Sequence, residues 1–118
     1  EILIGAPAGD FAYISGAVYL YDQAAGQSPL QIMSGSGSDA YGASMALIDF
    51  PASDGFVDVA IGAPHRSFSG HSGVVEVRDI KNSTSLLTIE PGFDIDEFGS
   101  SITALPDYDK NGAPDLMI

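Results

Sequence analysis

An internal repeat dominates this sequence. When the chain is shifted against itself by 57 residues without a gap, about nineteen of the sixty-one overlapping positions are identical, which is far above chance. The segment Ile4-Gly5-Ala6-Pro7 returns as Ile61-Gly62-Ala63-Pro64, and Glu1 aligns with Asp58. The chain holds two repeat units plus four residues. We therefore expect one supersecondary unit built twice, in a fragment of a longer array that is cut inside a unit at both ends.

Each repeat unit has the pattern of short β-strands. Apolar residues alternate with a period of two, and Gly or Pro interrupts every segment, so helices are not expected. Four short antiparallel strands in such a unit describe a propeller blade better than a solenoid coil. The predicted fold is an all-β segment of a β-propeller. In the complete unit the predicted strands are Gly42–Ile48, Val57–Ile61, one around Val75 and Val77, and one from Leu87 to Ile89. In the incomplete units the counterparts of these four strands are, in the same order, Gly99–Leu105, Ile2–Ile4, a strand with Val18 and Leu20, and a strand with Leu30 and Ile32.

The charge of the chain excludes several kinds of partner. Its 16 acidic and 4 basic side chains give a net charge of −12, whereas binding to nucleic acid or to an anionic membrane surface needs a basic patch. No apolar run reaches the roughly 20 residues of a membrane-spanning helix. We expect neither nucleic-acid binding nor membrane insertion. The absence of cysteine excludes disulfides, cysteine-based zinc sites and thiol catalysis.

The strongest chemical signal is the nine-residue segment Asp107–Asp115. Oxygen-bearing side chains stand at its positions 1, 3, 5 and 9, with glycine at position 6, and this spacing is typical of calcium loops. Ca²⁺ suits the segment better than Mg²⁺, because calcium accepts about six to eight flexible oxygen ligands. The alternative is a plain Asn-Gly hairpin turn with solvated acids around it. The predicted ligands are Asp107, Asp109, Asn111, Asp115 and the carbonyl oxygen of Ala113.

The corresponding loop of the preceding unit is degraded. Phe50 and Ala52 stand at its first and third ligand positions. We expect it to bind calcium more weakly or not at all. The alternative is a turn held by hydrogen bonds from serine and aspartate side chains to the backbone. The oxygen donors that remain in this loop are Asp49, Ser53, Asp54 and Asp58.

Two kinds of motif resemble a known family. The aromatic-glycine pairs Tyr41-Gly42 and Phe98-Gly99, combined with Gly-Ala-Pro after an apolar strand, resemble the FG-GAP repeats of integrin α-subunit β-propellers and their prokaryotic relatives. The resemblance covers nearly the whole chain and implies four-stranded blades, with calcium in the loop that joins the first two strands. The triplet itself is expected to end a strand, because proline lacks an N–H donor. The expected division is a partial blade at 1–39 (strands two to four), a complete blade at 40–96 and a partial blade at 97–118 (strands one and two).

The resemblance also implies a function. We expect an extracellular or cell-surface module for adhesion, or for binding a protein or glycan ligand, with structural Ca²⁺ and no enzymatic activity. The ligand is expected on the rim opposite the calcium loops, where Tyr13, His71 and Phe93 are candidate contacts. Further blades are expected from the same parent chain or from other copies. Two other functions remain open: an accessory propeller of a larger secreted hydrolase or phospholipase, and a structural repeat of a surface filament.

Overall fold

A computed structural model gives the fold of the chain. It describes residues 1–7, 15–22, 24, 26–50, 56–68, 71–91 and 97–118, with the backbone alone at 67, 68, 71 and 72. Within these residues the regular structure is entirely β, in nine strands. The strands are β1 (Ile2–Ala6), β2 (Ala17–Tyr21), β3 (Gln31–Ser34), β4 (Ser44–Ile48), β5 (Asp58–Phe68), β6 (His71–Arg78), β7 (Ser85–Ile89), β8 (Thr103–Leu105) and β9 (Asp115–Met117).

The strands form three antiparallel sheets in chain order. The first sheet is β1-β2-β3, the second is β4-β5-β6-β7 and the third is β8-β9. A shift of 57 residues places β1 on β5, β2 on β6 and β8 on β4, so the sequence repeat is also a structural repeat. The second sheet has the four strands predicted for a complete unit, which confirms the all-β, antiparallel fold class. The described residues contain no helix long and apolar enough to cross a membrane.

The Gly-Ala-Pro triplet of the second unit does not end its strand, contrary to the prediction. Strand β5 runs through Pro64 and continues to Phe68, where it pairs with His71 at the start of β6. The register shifts between Ala63 and Ser67, so the proline lies at an irregularity where its missing N–H interrupts the ladder. In the first unit, β1 does end at Ala6, one residue before the proline.

The core lies between the sheets. On one face of β5, Val59 and Ile61 are fully buried against the first sheet, and on the other face Ala60 is fully buried against the third. The second strand of the complete unit is therefore covered on both faces, as its nearly continuous apolar sequence requires. The cluster between the first and second sheets contains Val18, Leu20, Met33, Tyr41, Val59, Ile61, Ala63 and Ile80; the cluster on the third-sheet side contains Ile48, Ala60, Val75, Val77 and Ile102.

Glycine pairs bring successive sheets into close backbone contact. A Cβ atom added to Gly62 would fall on the carbonyl oxygen of Gly99, and one added to Gly5 would fall on that of Gly42. The Ser44 hydroxyl adds a hydrogen bond of 2.5 Å to the Gly99 carbonyl oxygen. The glycine of Gly-Ala-Pro therefore packs on the glycine of the next aromatic-glycine pair, in both units, because neither has a side chain to keep the backbones apart. We call these two places the glycine contacts.

A partly buried charged cluster lies between the first and second sheets. The Arg66 guanidinium lies 2.6 Å from Oε1 of Glu76, and Nε of Arg78 lies 3.2 Å from Oε2. The Tyr41 hydroxyl donates to the same Oε2 at 3.3 Å, and the Arg78 guanidinium lies 5.9 Å from the tyrosine ring centroid. Burial raises the pKa of Tyr41 well above its ordinary value, and the neighbouring Glu76 adds to this rise. The phenol therefore stays neutral and donates its hydrogen bond at physiological pH. We call these four side chains the Glu76 cluster.

Candidate calcium site

The site is the connection between β8 and β9, residues 106–114. Its backbone enters the left-handed region twice, at Lys110 (φ 61°) and Gly112 (φ 93°). This region is uncommon for residues other than glycine, so the loop needs side-chain hydrogen bonds to hold its shape. The tip is open to solvent: the side chain of Tyr108 is 87% exposed.

Aspartate side chains supply those hydrogen bonds. Asp107 accepts from the backbone N–H of Asn111 through Oδ1 (3.0 Å) and from that of Gly112 through Oδ2 (2.9 Å). At the other end of the loop, Oδ2 of Asp115 accepts from the N–H of Tyr108 at 2.7 Å. The side chains of Asp107 and Asp115 thus hold the loop backbone in a closed turn.

Three carboxylates converge as a result. Asp107, Asp109 and Asp115 each offer an oxygen atom, and these atoms lie within 4.8 Å of one another. Among the residues that the structure describes, they form the one group of three potential metal-ligating side chains of this kind. A shared cation could contact all three oxygens without a large change in the loop.

The Asn111 side chain lies in the same cluster. Its Nδ2 donates to Oδ2 of Asp109 at 3.0 Å, and its Oδ1 accepts from the N–H of Ala113 at 2.8 Å. A carboxylate or amide oxygen has two lone pairs, so an oxygen that already accepts one hydrogen bond keeps a lone pair for a metal ion. The donor set is made of hard oxygens, which suits Ca²⁺ and gives no preference to zinc or copper.

The weaker loop of the second unit is described only in part. Asp49 follows β4 and is exposed, whereas Asp58 begins β5 and is only 5% exposed, opposite Ile48 in the register. Ser53 and Asp54 lie outside the described residues. Calcium binding by this loop stays a prediction.

The predicted ligand contacts on the opposite rim lie almost wholly outside the described part of the chain. Tyr13 and Phe93 are not among the described residues. His71 is the first residue of β6, and only its backbone is described. The backbone of His71 pairs with that of Phe68 in the β5-β6 hairpin. The role of these three residues stays a prediction.

Sequence reasoning missed the Glu76 cluster. The signal lay in departures from the repeat: Glu76 and Arg78 replace Tyr19 and Tyr21 of the first unit, and Tyr41 precedes its glycine where Phe98 stands one unit later. In the first sheet the two tyrosines stack with ring centroids 6.5 Å apart. Polar residues at positions that are aromatic in the other unit indicate a contact peculiar to one interface.

Comparison with known proteins finds similarity to integrin α subunits. No protein-family model matches the chain. The chain is 31% identical over 135 aligned positions to integrin alpha-3 of Cricetulus griseus, and this alignment covers all of the chain and 12% of the relative. It is 34% identical over 113 positions to integrin alpha-7 of Homo sapiens, covering 89% of the chain and 9% of the relative. With integrin alpha-6 of Gallus gallus the identity is 29% over 134 positions.

These similarities define an integrin α-like region. The chain spans about a tenth of the length of the relatives that it matches, so what they share with it is a segment. The resemblance predicted from the repeated motifs is confirmed at this level, and the antiparallel sheets described above agree with it.

Proposed function

We propose that the chain is a segment of a calcium-stabilised FG-GAP β-propeller in an extracellular or cell-surface protein for adhesion or ligand binding. In this proposal the three sheets are successive blades, divided at 1–39, 40–96 and 97–118. Similarity to integrin α subunits over 89% or more of the chain supports a role in recognition without catalysis.

One observation carries the calcium part of the proposal: the convergence of Asp107, Asp109 and Asp115 within 4.8 Å. Two carboxylates about 4 Å apart repel each other by ~1 kcal/mol in water and by ~4 kcal/mol at an effective dielectric constant near 20. A bound Ca²⁺ would replace this repulsion by attraction. Asn111 and the carbonyl oxygen of Ala113 complete the proposed ligand set, and the ion's role is structural, because it fixes the hairpin between two strands of a blade.

Further blades are proposed to cover the outer face of the first sheet. Ile2, Ile4 and Ile32 on this face are 47%, 48% and 50% exposed. In the repeat alignment Ile2 and Ile4 are equivalent to Val59 and Ile61, which are fully buried against the preceding sheet. A blade of the same kind, from the same parent chain or from another copy, would bury this face in the same way.

The ligand is proposed to be a protein or a glycan on the rim opposite the calcium hairpins. Tyr13, His71 and Phe93 are the candidate contacts there, since aromatic residues and histidine often anchor interfaces. A substitution scan of the intact protein tests this assignment. Dependence of ligand binding on these three residues would support it, and dependence on the hairpin loops alone would contradict it.

Removal of one carboxylate tests the calcium proposal. Asp109→Ala is expected to abolish most of the calcium-dependent rise in melting temperature of the intact protein, because it removes a central ligand. An ion present at about ten times its dissociation constant stabilises a protein by ~1.4 kcal/mol. Such stabilisation corresponds to a shift of a few degrees, measured by calorimetry with calcium and with a chelator. Asp54→Ala in the weaker loop is the matched control, and equal effects of the two variants would contradict the predicted difference between the loops.

Terbium luminescence locates the ion. Terbium is a calcium substitute that is excited through a nearby tyrosine, and the chain has five tyrosines and no tryptophan. Tyr108 lies between two proposed ligands, so Tyr108→Phe should remove most of the luminescence and leave calcium affinity unchanged. Tyr21→Phe, in the first sheet, is the control. Loss of the signal with Tyr21→Phe and not with Tyr108→Phe would place the ion elsewhere.

A further inference from the structure

The hairpin contains a bond that is prone to spontaneous chemical change. The chain has two asparagines, Asn82 and Asn111, and only Asn111 is followed by glycine. Deamidation begins when the backbone nitrogen of the next residue attacks the side-chain carbon Cγ of asparagine. Gly112 has no Cβ to obstruct that attack. Both residues are exposed, so water can reach the bond.

The hydrogen bonds of the hairpin prepare both reacting groups. The Gly112 N–H donates to Oδ2 of Asp107 at 2.9 Å, so a carboxylate orients the attacking nitrogen and is placed to accept its proton. The Ala113 N–H donates to Oδ1 of Asn111 at 2.8 Å. A donor on a carbonyl oxygen stabilises the negative charge that develops there when the carbon is attacked. The loop thus contains the nucleophile (the Gly112 nitrogen), the electrophile (Cγ of Asn111), a donor to the electrophile's oxygen (the Ala113 N–H) and a proton acceptor (Asp107).

We propose that Asn111 is a self-modification site, which converts to aspartate and isoaspartate through a cyclic imide with Gly112. The Gly112 nitrogen forms a bond to Cγ of Asn111, and the bond from Cγ to Nδ2 breaks. Nδ2 leaves as ammonia with the proton from the Gly112 N–H. Water then opens the ring: cleavage of the new N–Cγ bond gives aspartate, and cleavage of the original peptide bond gives isoaspartate.

The two products change the hairpin in different ways. Either product adds one negative charge, which takes the formal net charge from −12 to −13. Aspartate at position 111 places a fourth carboxylate beside three that already lie within 4.8 Å of one another. Isoaspartate routes the main chain through the side chain and lengthens it by one methylene group. That product displaces Gly112 from Asp107 and Ala113 from the side-chain oxygen of residue 111.

Calcium is expected to slow the reaction, and this part rests on the proposed function. An ion held by the hairpin would bind the carboxylate of Asp107 and the side-chain oxygen of Asn111 together. The Asn111 side chain could then no longer turn its carbon toward the Gly112 nitrogen.

Asn82 provides an internal control. It is exposed and lies in the turn between β6 and β7, where its Nδ2 donates to Oδ2 of Asp79 at 2.7 Å. Its next residue is Ser83, whose Cβ obstructs the backbone nitrogen. Both asparagines therefore lie in hydrogen-bonded turns, and they differ in the residue that follows.

The experiment follows deamidation of the intact protein at neutral pH by peptide mass spectrometry, in a chelator and in excess calcium. In the chelator, Asn111 is expected to deamidate at least about tenfold faster than Asn82, a ratio that corresponds to ~1.4 kcal/mol in activation free energy. Isoaspartate should be detected at position 111. Equal rates at the two asparagines would overturn the proposal.

Further measurements test the modification site separately from the calcium site. Gly112→Ala should reduce the rate at Asn111 toward that at Asn82, with circular dichroism as the check that the variant is folded. If this variant does not fold, the comparison of the two asparagines in the unaltered protein still decides. Calcium should slow the reaction at Asn111 and not at Asn82. Fast deamidation at Asn111 that calcium leaves unchanged would support the modification site and contradict the calcium site.

Discussion

Gly62→Ala is expected to destabilise the intact protein by about 3 kcal/mol, at the upper end of the usual cost of overpacking. The added methyl group would fall on the Gly99 carbonyl oxygen. A backbone atom cannot rotate away as a side chain can, so the second and third sheets must separate. Chemical denaturation of the unaltered and altered proteins measures the change.

Two further variants show whether this contact is the cause. Gly5→Ala, at the equivalent contact with Gly42, should have a similar effect. Gly26→Ala is the matched control: nothing lies within 4 Å of the added carbon, and only its positive φ of 88° is strained, for which about 1 to 2 kcal/mol is expected. If Gly62→Ala costs no more than Gly26→Ala, the sheets do not meet as closely as described.

Glu76→Gln is expected to cost about 3 kcal/mol, because it leaves two guanidinium groups without their shared carboxylate. Loss of one partner of a buried ion pair typically costs 3 to 5 kcal/mol, and we expect the lower end of this range (~3 kcal/mol). The reason is that the side chains of Arg66 and Arg78 are 29% and 20% exposed and can recruit water. Denaturant unfolding at low and high salt measures the loss and its electrostatic share.

Tyr41→Phe separates the hydrogen bond from the charge. It removes one hydrogen bond of 3.3 Å to Glu76 and keeps the ring, so a loss of about 1 kcal/mol is expected. Phe98 occupies the same repeat position, which indicates that the ring without a hydroxyl fits such an interface. The assigned role of Glu76 would be wrong if Glu76→Gln were no more costly than Tyr41→Phe.

The alternation of side chains along each strand was predictable from the sequence, but which face of the strand is buried was not always predictable. Val18 and Leu20 are buried and alternate with half-buried tyrosines, as the pattern of period two indicates. In β3 the apolar Ile32 is 50% exposed and Met33 is fully buried, and Leu30, just before this strand, is 51% exposed. Pairing decides this: Met33 is opposite Val18 and Ile32 is opposite Tyr19. A strand with apolar residues on both faces does not reveal its register from its own sequence.

The candidate calcium hairpin could be predicted from the sequence, whereas the Glu76 cluster could not. The hairpin lies within nine consecutive residues, so spacing alone predicts which oxygens converge. The cluster joins Tyr41 to Glu76, which is 35 residues away, and Arg66 to Glu76 across two strands. Such a contact depends on how two sheets pack, and no local pattern specifies it.

The glycine contacts have a consequence for how such an array can diverge. Main-chain atoms of neighbouring sheets meet directly at these two places. The side chains near them can differ from unit to unit, as Tyr19 and Tyr21 in one unit and Glu76 and Arg78 in the next show. A contact between neighbouring sheets can then be ionic in one place and not in another, while the same kind of glycine pair brings the two backbones together.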